Sequence, residues 1–120
     1  MNREEFTRYI LDSYICARDN PWKKNPDYTV FRHPNNKKWF ALTMNIPKSY
    51  LGLSEEGSID IVNMKGDPML IGSLLQEEGF YWAYHMNKEH WITVALDGSA
   101  ADDEIRMVLD MSFEATASKL

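Results

Sequence analysis

The stretch KWFALTMNI, residues 38–46, alternates strictly. Phe40, Leu42, Met44 and Ile46 fall on one side; Trp39, Ala41, Thr43 and Asn45 fall on the other. Only a strand, with side chains pointing to opposite faces in turn, converts that period of two into a buried face. Pro47 ends the run, because proline cannot donate to a ladder. Tyr28–His33, rich in β-formers, precedes it, and His33-Pro34-Asn35-Asn36 is a turn by composition. The pair reads as a hairpin with HPNNKK at its tip. A second pair follows the same logic. Residues 80–86 place Phe80, Trp82, Tyr84 and Met86 on one face. Residues 91–96 set Ile92, Val94 and Leu96 against Trp91, Thr93 and Ala95. The link Asn87-Lys88-Glu89-His90 is short enough for a hairpin.

The remaining segments fill in around these pairs. Residues 3–17 carry Phe6, Ile10 and Tyr14 at helical spacing, and Asp19-Asn20-Pro21 closes that helix. Ile59–Lys65 reads as a further strand. Asp67-Pro68 announces a helix, with a capping carboxylate and a proline at the first position. Gly79 stops it. Ser99 and Asp102 resemble a capping box for a last helix, whose buried stripe is Ile105, Val108, Leu109 and Phe113. The order α-β-β-β-α-β-β-α predicts one α+β domain over residues 1–120. Its architecture is two-layer: an antiparallel five-stranded sheet backed by helices.

Several classes fall away. No run approaches the roughly 18–20 apolar residues of a membrane span. MNREEF lacks the apolar stretch of a signal peptide, and one cysteine, Cys16, cannot build a disulfide framework. A cytoplasmic location is the expectation, and Cys16 is expected as a small buried hydrophobe. The net charge of −5 argues against a general nucleic-acid sponge. The charge is uneven, however. Residues 20–50 hold six cations against one acid, +5, while residues 61–120 hold four cations against ten acids, −6. That segregation is either a solvated-face accident or a basic edge on an acidic body.

HPNNKKWFAL, VNMKGDP and above all the run H-x-N-K-x-H-W-x-T-V-x-L-D-G-S from His85 to Ser99 resemble the MmcQ/YjbR family of small bacterial proteins. The resemblance covers nearly the whole chain. It departs at Ala100 and Ala101, where the family often has proline. The resemblance implies the fold called CyaY-like or secretion-chaperone-like, and a double-wing shape in which two β-hairpins touch DNA. It implies no catalytic residues.

Two binding readings stand. In the first, DNA is the partner and the tips supply phosphate contacts. The candidates are Arg32, Lys37, Lys38 and Lys88, with His33, Asn35, Asn36 and Asn87 as polar helpers. Exposed turns are polar in any protein, so the tips alone do not decide it. In the second, an outward sheet face showing Trp39, Thr43, Tyr81, His85, Trp91 and Thr93 takes a protein partner, a second copy or a small ligand.

Other chemistries find little. His33, His85, His90 and Glu89 lack a recognised metal spacing, and His85 reads as a hydrogen-bonded structural residue. Asp102, Asp103 and Glu104 suit a helix N-terminus without any metal. His90, Asp97 and Ser99 are triad residue types, but no G-x-S-x-G elbow and no glycine-rich phosphate loop is present. The expectation is a non-enzymatic binding module without metal or cofactor.

Overall fold

The computed structural model describes residues 1–118. The strands are β1 (Ala17–Asp19), β2 (Thr29–Arg32), β3 (Trp39–Pro47), β4 (Ser58–Lys65), β5 (Phe80–Trp82) and β6 (Trp91–Ala95). The helices are α1 (Arg3–Ser13), α2 (Pro68–Leu74) and α3 (Asp102–Thr116), with a 3₁₀ turn at Lys48–Leu51. All strand pairs are antiparallel, in the order β1-β2-β3-β4-β6-β5. The α+β architecture is as expected, but the sheet has six strands and not five. The difference lies after α1. That helix stops at Ser13, and the chain turns outward so that Ala17–Asp19 pairs with β2 as a short exposed edge. Three exposed residues carry no alternating signal for a sequence reading to find.

All three helices pack on one face of the sheet. Phe6 and Ile10 from α1, Ile71 and Leu74 from α2, and Ile105, Val108 and Leu109 from α3 bury against Val62, Met64, Ile92 and Val94. Each such residue contributes about 1.5–3 kcal/mol when fully buried. The helix ends are set locally. Asn2 and Glu5 form a reciprocal capping box on α1, and Asp67 accepts from the Met69 amide with Pro68 at the first position of α2. The expected box at Ser99 is absent. Ala101 precedes α3 without a side-chain cap, and the Ser99 amide and hydroxyl both donate to Asp97. The first turn of α3 is held instead by its own acids, with Asp102 accepting from the Met1 ammonium at 2.5 Å.

The opposite face of the sheet is not bare. Val30, Leu42, Met44, Ile46, Ile59, Ile61 and Ala95 form a second buried cluster. Trp22 and Tyr28 from the β1–β2 connection and Leu51 and Leu53 from the β3–β4 connection pack over it. A bulge decides which residues reach it. Phe31 pairs with Ala41 but Arg32 pairs with Trp39, so Phe40 is an extra residue on β3. Phe40 therefore joins Ala41 on the helical side, and Trp39 turns to the side of Leu42. The strict alternation expected for residues 39–46 is corrected at that point.

Candidate functional site

The register fixes where the strand connections lie. Arg32 pairs with Trp39 at the close of the β2–β3 hairpin, Lys65 at the end of β4 pairs with Trp91, and Trp82 at the end of β5 pairs with Ile92. Both candidate tips, residues 33–38 and 83–90, thus emerge from the same end of the sheet with β4 between them. Strands two places apart are separated by roughly 10 Å. Lys65 ends the strand between the tips and joins Lys37, Lys38 and Lys88 at this end. Sequence reading missed Lys65, because only the strand order brings it there.

The eight tip residues do not behave alike. Arg32 is committed to Asp19 at 2.7 Å across β1 and β2. His33 is buried, and its Nε2 lies 3.0 Å from the Phe113 carbonyl and 2.8 Å from the Thr116 hydroxyl. The carbonyl can only accept, so Nε2 carries the proton in this arrangement. The Asn36 amide donates to the Thr116 carbonyl at 2.9 Å. These three residues are fasteners. Arg32 ties the tip to the edge strand, while His33 and Asn36 tie it to the last turn of α3. Asn35, Lys37 and Lys38 remain exposed, and Lys37 sits in the left-handed region at φ 63°. No ion pair among the described residues uses Lys37, Lys38, Lys65 or Lys88.

The second tip is fastened at its start. The Asn63 side chain on β4 donates to the Tyr84 carbonyl at 2.8 Å, and the Tyr84 amide donates to the Thr93 hydroxyl at 2.8 Å. Thr93 in turn donates to Asn63, so a closed polar network buried under the sheet's second face staples the start of the loop flat. Lys88 reaches back to donate to the Ala83 carbonyl at 3.0 Å, and Asn87 caps the following turn through Glu89. Asn87 and the Lys88 ammonium stay at the surface.

The proposed aromatic face is partly dissolved. Thr43 and Thr93 are fully buried, and Thr43 pairs with Val62 on the helical side, where Arg3 donates to its hydroxyl. Trp39, Tyr81 and Trp91 are half-buried. His85 is not the structural histidine that was expected. It is exposed, lies at φ 58°, and packs edge-on against Tyr84 with ring centroids 4.1 Å apart. The buried, hydrogen-bonded histidine is His33.

Two cavities that share His85 are present instead, one over the second face and one wrapping the edge of the sheet at β5. One, of about 260 Å³, is enclosed by Trp22, Tyr28, Trp39 and Met86 over Leu42 and Met44. Trp22 stands edge-on to Trp39 at 5.5 Å. The other, of about 400 Å³, opens beside the edge strand β5 among Tyr50, Tyr81, Trp82, Tyr84 and Lys88. Burial, and then the charges of Asp97, Glu78 and Glu55, push the Tyr81 hydroxyl above its ordinary pKa. Among the described residues, no three His, Cys, Asp or Glu side chains gather as a metal site, and no helix is long and apolar enough to cross a membrane. Cys16 is half-buried against the helical core, and burial raises its thiol pKa more than Arg18 lowers it.

A family model described as YjbR matches residues 11–115. The uncharacterized protein YyaQ of Bacillus subtilis (strain 168) is 38% identical over 116 residues, spanning 97% of this chain and 98% of that protein. The uncharacterized protein YjbR of Escherichia coli (strain K12) is 37% identical over 60 residues, 49% of this chain and 51% of that one. A crystal structure of a Pseudomonas syringae protein superposes with a TM-score of 0.94 at 46% identity, covering 98% of this chain and all of the other. A Deinococcus radiodurans protein at 22% identity shares the fold, with a TM-score of 0.74 over 99% of this chain and 81% of its own.

Proposed function

Since this chain belongs to the YjbR family, we propose that it is a non-enzymatic binding module that grips nucleic-acid backbone with one end of its sheet. The observation that carries this reading is the gathering of Lys37, Lys38, Lys65 and Lys88 at that end without ion-pair partners among the described residues. Phosphate contact needs cations not neutralised by carboxylates, and Asn35 and Asn87 add neutral donors beside them. Arg32, His33 and Asn36 serve by rigidity, holding the first tip in place. Trp39 already packs against Trp22, so base stacking contributes little. The mode is therefore phosphate contact on duplex DNA without sequence readout. The acidic remainder of the chain keeps it weak and confines it to low salt.

The test is anisotropy of a labelled duplex titrated with protein over a range of salt. Four neutralised phosphates give a slope of about −3.6 in log affinity against log salt. Replacing Lys37, Lys38 and Lys65 together by glutamate should abolish the signal. A salt-independent signal, or none at low ionic strength, sinks the reading.

The two cavities favour a second reading, a small-ligand module. Trp39 and Tyr81 are packed into the second cluster, so the ligand would enter a cavity, and a flat protein partner or second copy fits less well.

A further inference from the structure

The larger cavity has a chemical polarity of its own. Its walls are largely aromatic, from Tyr50 on the 3₁₀ turn, Tyr81 and Trp82 on β5, and Tyr84 with His85 on the loop that follows, with Leu75 at the end of α2 adding an aliphatic side. Tyr50 and Trp82 leave 58% and 60% of their surface open, an unusual outlay of apolar area beside a cavity. Tyr50 and Tyr84 stack at 5.6 Å with planes 26° apart, so each ring covers a face of the other and the exposed Tyr50 ring is the open surface of this platform. The floor is rigid, because the Asn63–Thr93 network fixes the Tyr84 backbone. About 400 Å³ lies in the range of small-molecule sites.

Charge is arranged along the cavity. Lys88 is the one side chain in the lining with a permanent charge. Its ammonium spends one donor on the Ala83 carbonyl and keeps two. The carboxylates of Asp97, Glu78 and Glu55 bear on the Tyr81 hydroxyl instead. An anionic group is therefore welcome beside Lys88 and repelled from Tyr81, while a ring is welcome along the Tyr50–Tyr84 stack. Resting on the small-ligand reading and naming its class, we propose that this cavity binds a planar aromatic anion, with its ring on the Tyr50–Tyr84 platform and its acidic group on Lys88.

The probes are 2-naphthoate and its uncharged counterpart 2-naphthalenemethanol, each titrated into the full chain and followed by amide and indole NMR shifts. Naphthoate should give saturable shifts centred on Tyr50, Trp82, Tyr84 and Lys88. Lys88→Met should weaken naphthoate about tenfold, the worth of one charged hydrogen bond, and leave the alcohol unchanged. Lys88→Arg should restore naphthoate, which separates charge from any loosening of the loop. Tyr50→Ala, an exposed change that spares the core, should weaken both probes. Equal binding of the two probes, or equal loss of both in Lys88→Met, overturns the anion class while leaving a cavity that binds aromatics. Absence of saturation by either probe up to ~10 mM overturns the class and the small-ligand reading together. Neither result touches the duplex assay with the Lys37, Lys38 and Lys65 variant.

Discussion

Asn63 in the middle strand region and Tyr84 in the loop beyond β5 are joined by one hydrogen bond, side-chain amide to main-chain carbonyl, at 2.8 Å. Through it a buried residue of β4 holds down a loop residue 21 positions along the chain. The same amide group accepts from Thr93, whose hydroxyl accepts from the Tyr84 amide. Each member satisfies two others, and no buried side-chain polar atom among the described residues lacks a partner. Such a closed set stabilises only while it is complete.

Asn63→Leu should therefore destabilise the fold by about 2–3 kcal/mol, since it leaves the Tyr84 carbonyl and the Thr93 hydroxyl wanting partners. Urea unfolding measures the loss. Hydrogen exchange should show residues 83–90 opening before the sheet does. Unchanged protection in that loop would mean the staple is not what holds it.

Lys37 presents a trade between stability and binding. It sits at φ 63°, a conformation that costs a side-chain-bearing residue about 1–2 kcal/mol and glycine almost nothing. Glycine gives back some of this through its freer unfolded chain, about 0.5–1 kcal/mol. Lys37→Gly should raise the melting temperature by about 2–4 °C while weakening duplex binding. A melting temperature that falls would show that the tip relies on the lysine stem.

Gly79 is fixed by two constraints at once. Its φ is +87°, and a β-carbon there would lie 2.6 Å from the Ala100 amide nitrogen. The obstacle is backbone, which cannot swing aside. Gly79→Ala combines left-handed strain with overpacking and should cost about 2–4 kcal/mol in urea or thermal unfolding. A near-neutral variant would show that the turn before β5 can shift without disturbing the start of α3.

Asp97 links stability to pH. Burial pushes its carboxyl up, but the hydrogen bonds from the Ser99 hydroxyl and amide outweigh that and hold it below its ordinary value. A lowered folded pKa contributes stability above the unfolded value of about 3.9, and the contribution disappears as pH falls through the folded pKa. Because Asp97 is well exposed, solvent reduces the effect, and Ser99→Ala should cost about 0.5 kcal/mol near pH 7. The gap from the parent protein should close below about pH 4. A gap of equal size at pH 3 and pH 7 would place the effect of Ser99 elsewhere.

Periodicity and turn chemistry carried most of the architecture. The alternation of residues 38–46, which holds from Ala41 onward, that of 91–96, the Asp67-Pro68 helix start and the helical stripe of Ile105, Val108 and Leu109 are local signals that reappear in the structure. They also decided that the sheet is antiparallel and that helices cover it. Tertiary structure decided everything that depends on distance across the chain. The bulge opposite Phe31 sent Phe40 and Trp39 to faces that alternation assigned the other way. Pairing with β2 made a strand of Ala17–Asp19, and strand order set Lys65 between the two tips. Contact with the end of α3 turned His33 and Asn36 from binding candidates into fasteners, while His85 was left exposed at the junction of two cavities. The physical reason is one of range. A residue's backbone preference depends on its neighbours in sequence, whereas the partner that buries, pairs or frees a polar side chain is chosen by the packing of segments far apart along the chain.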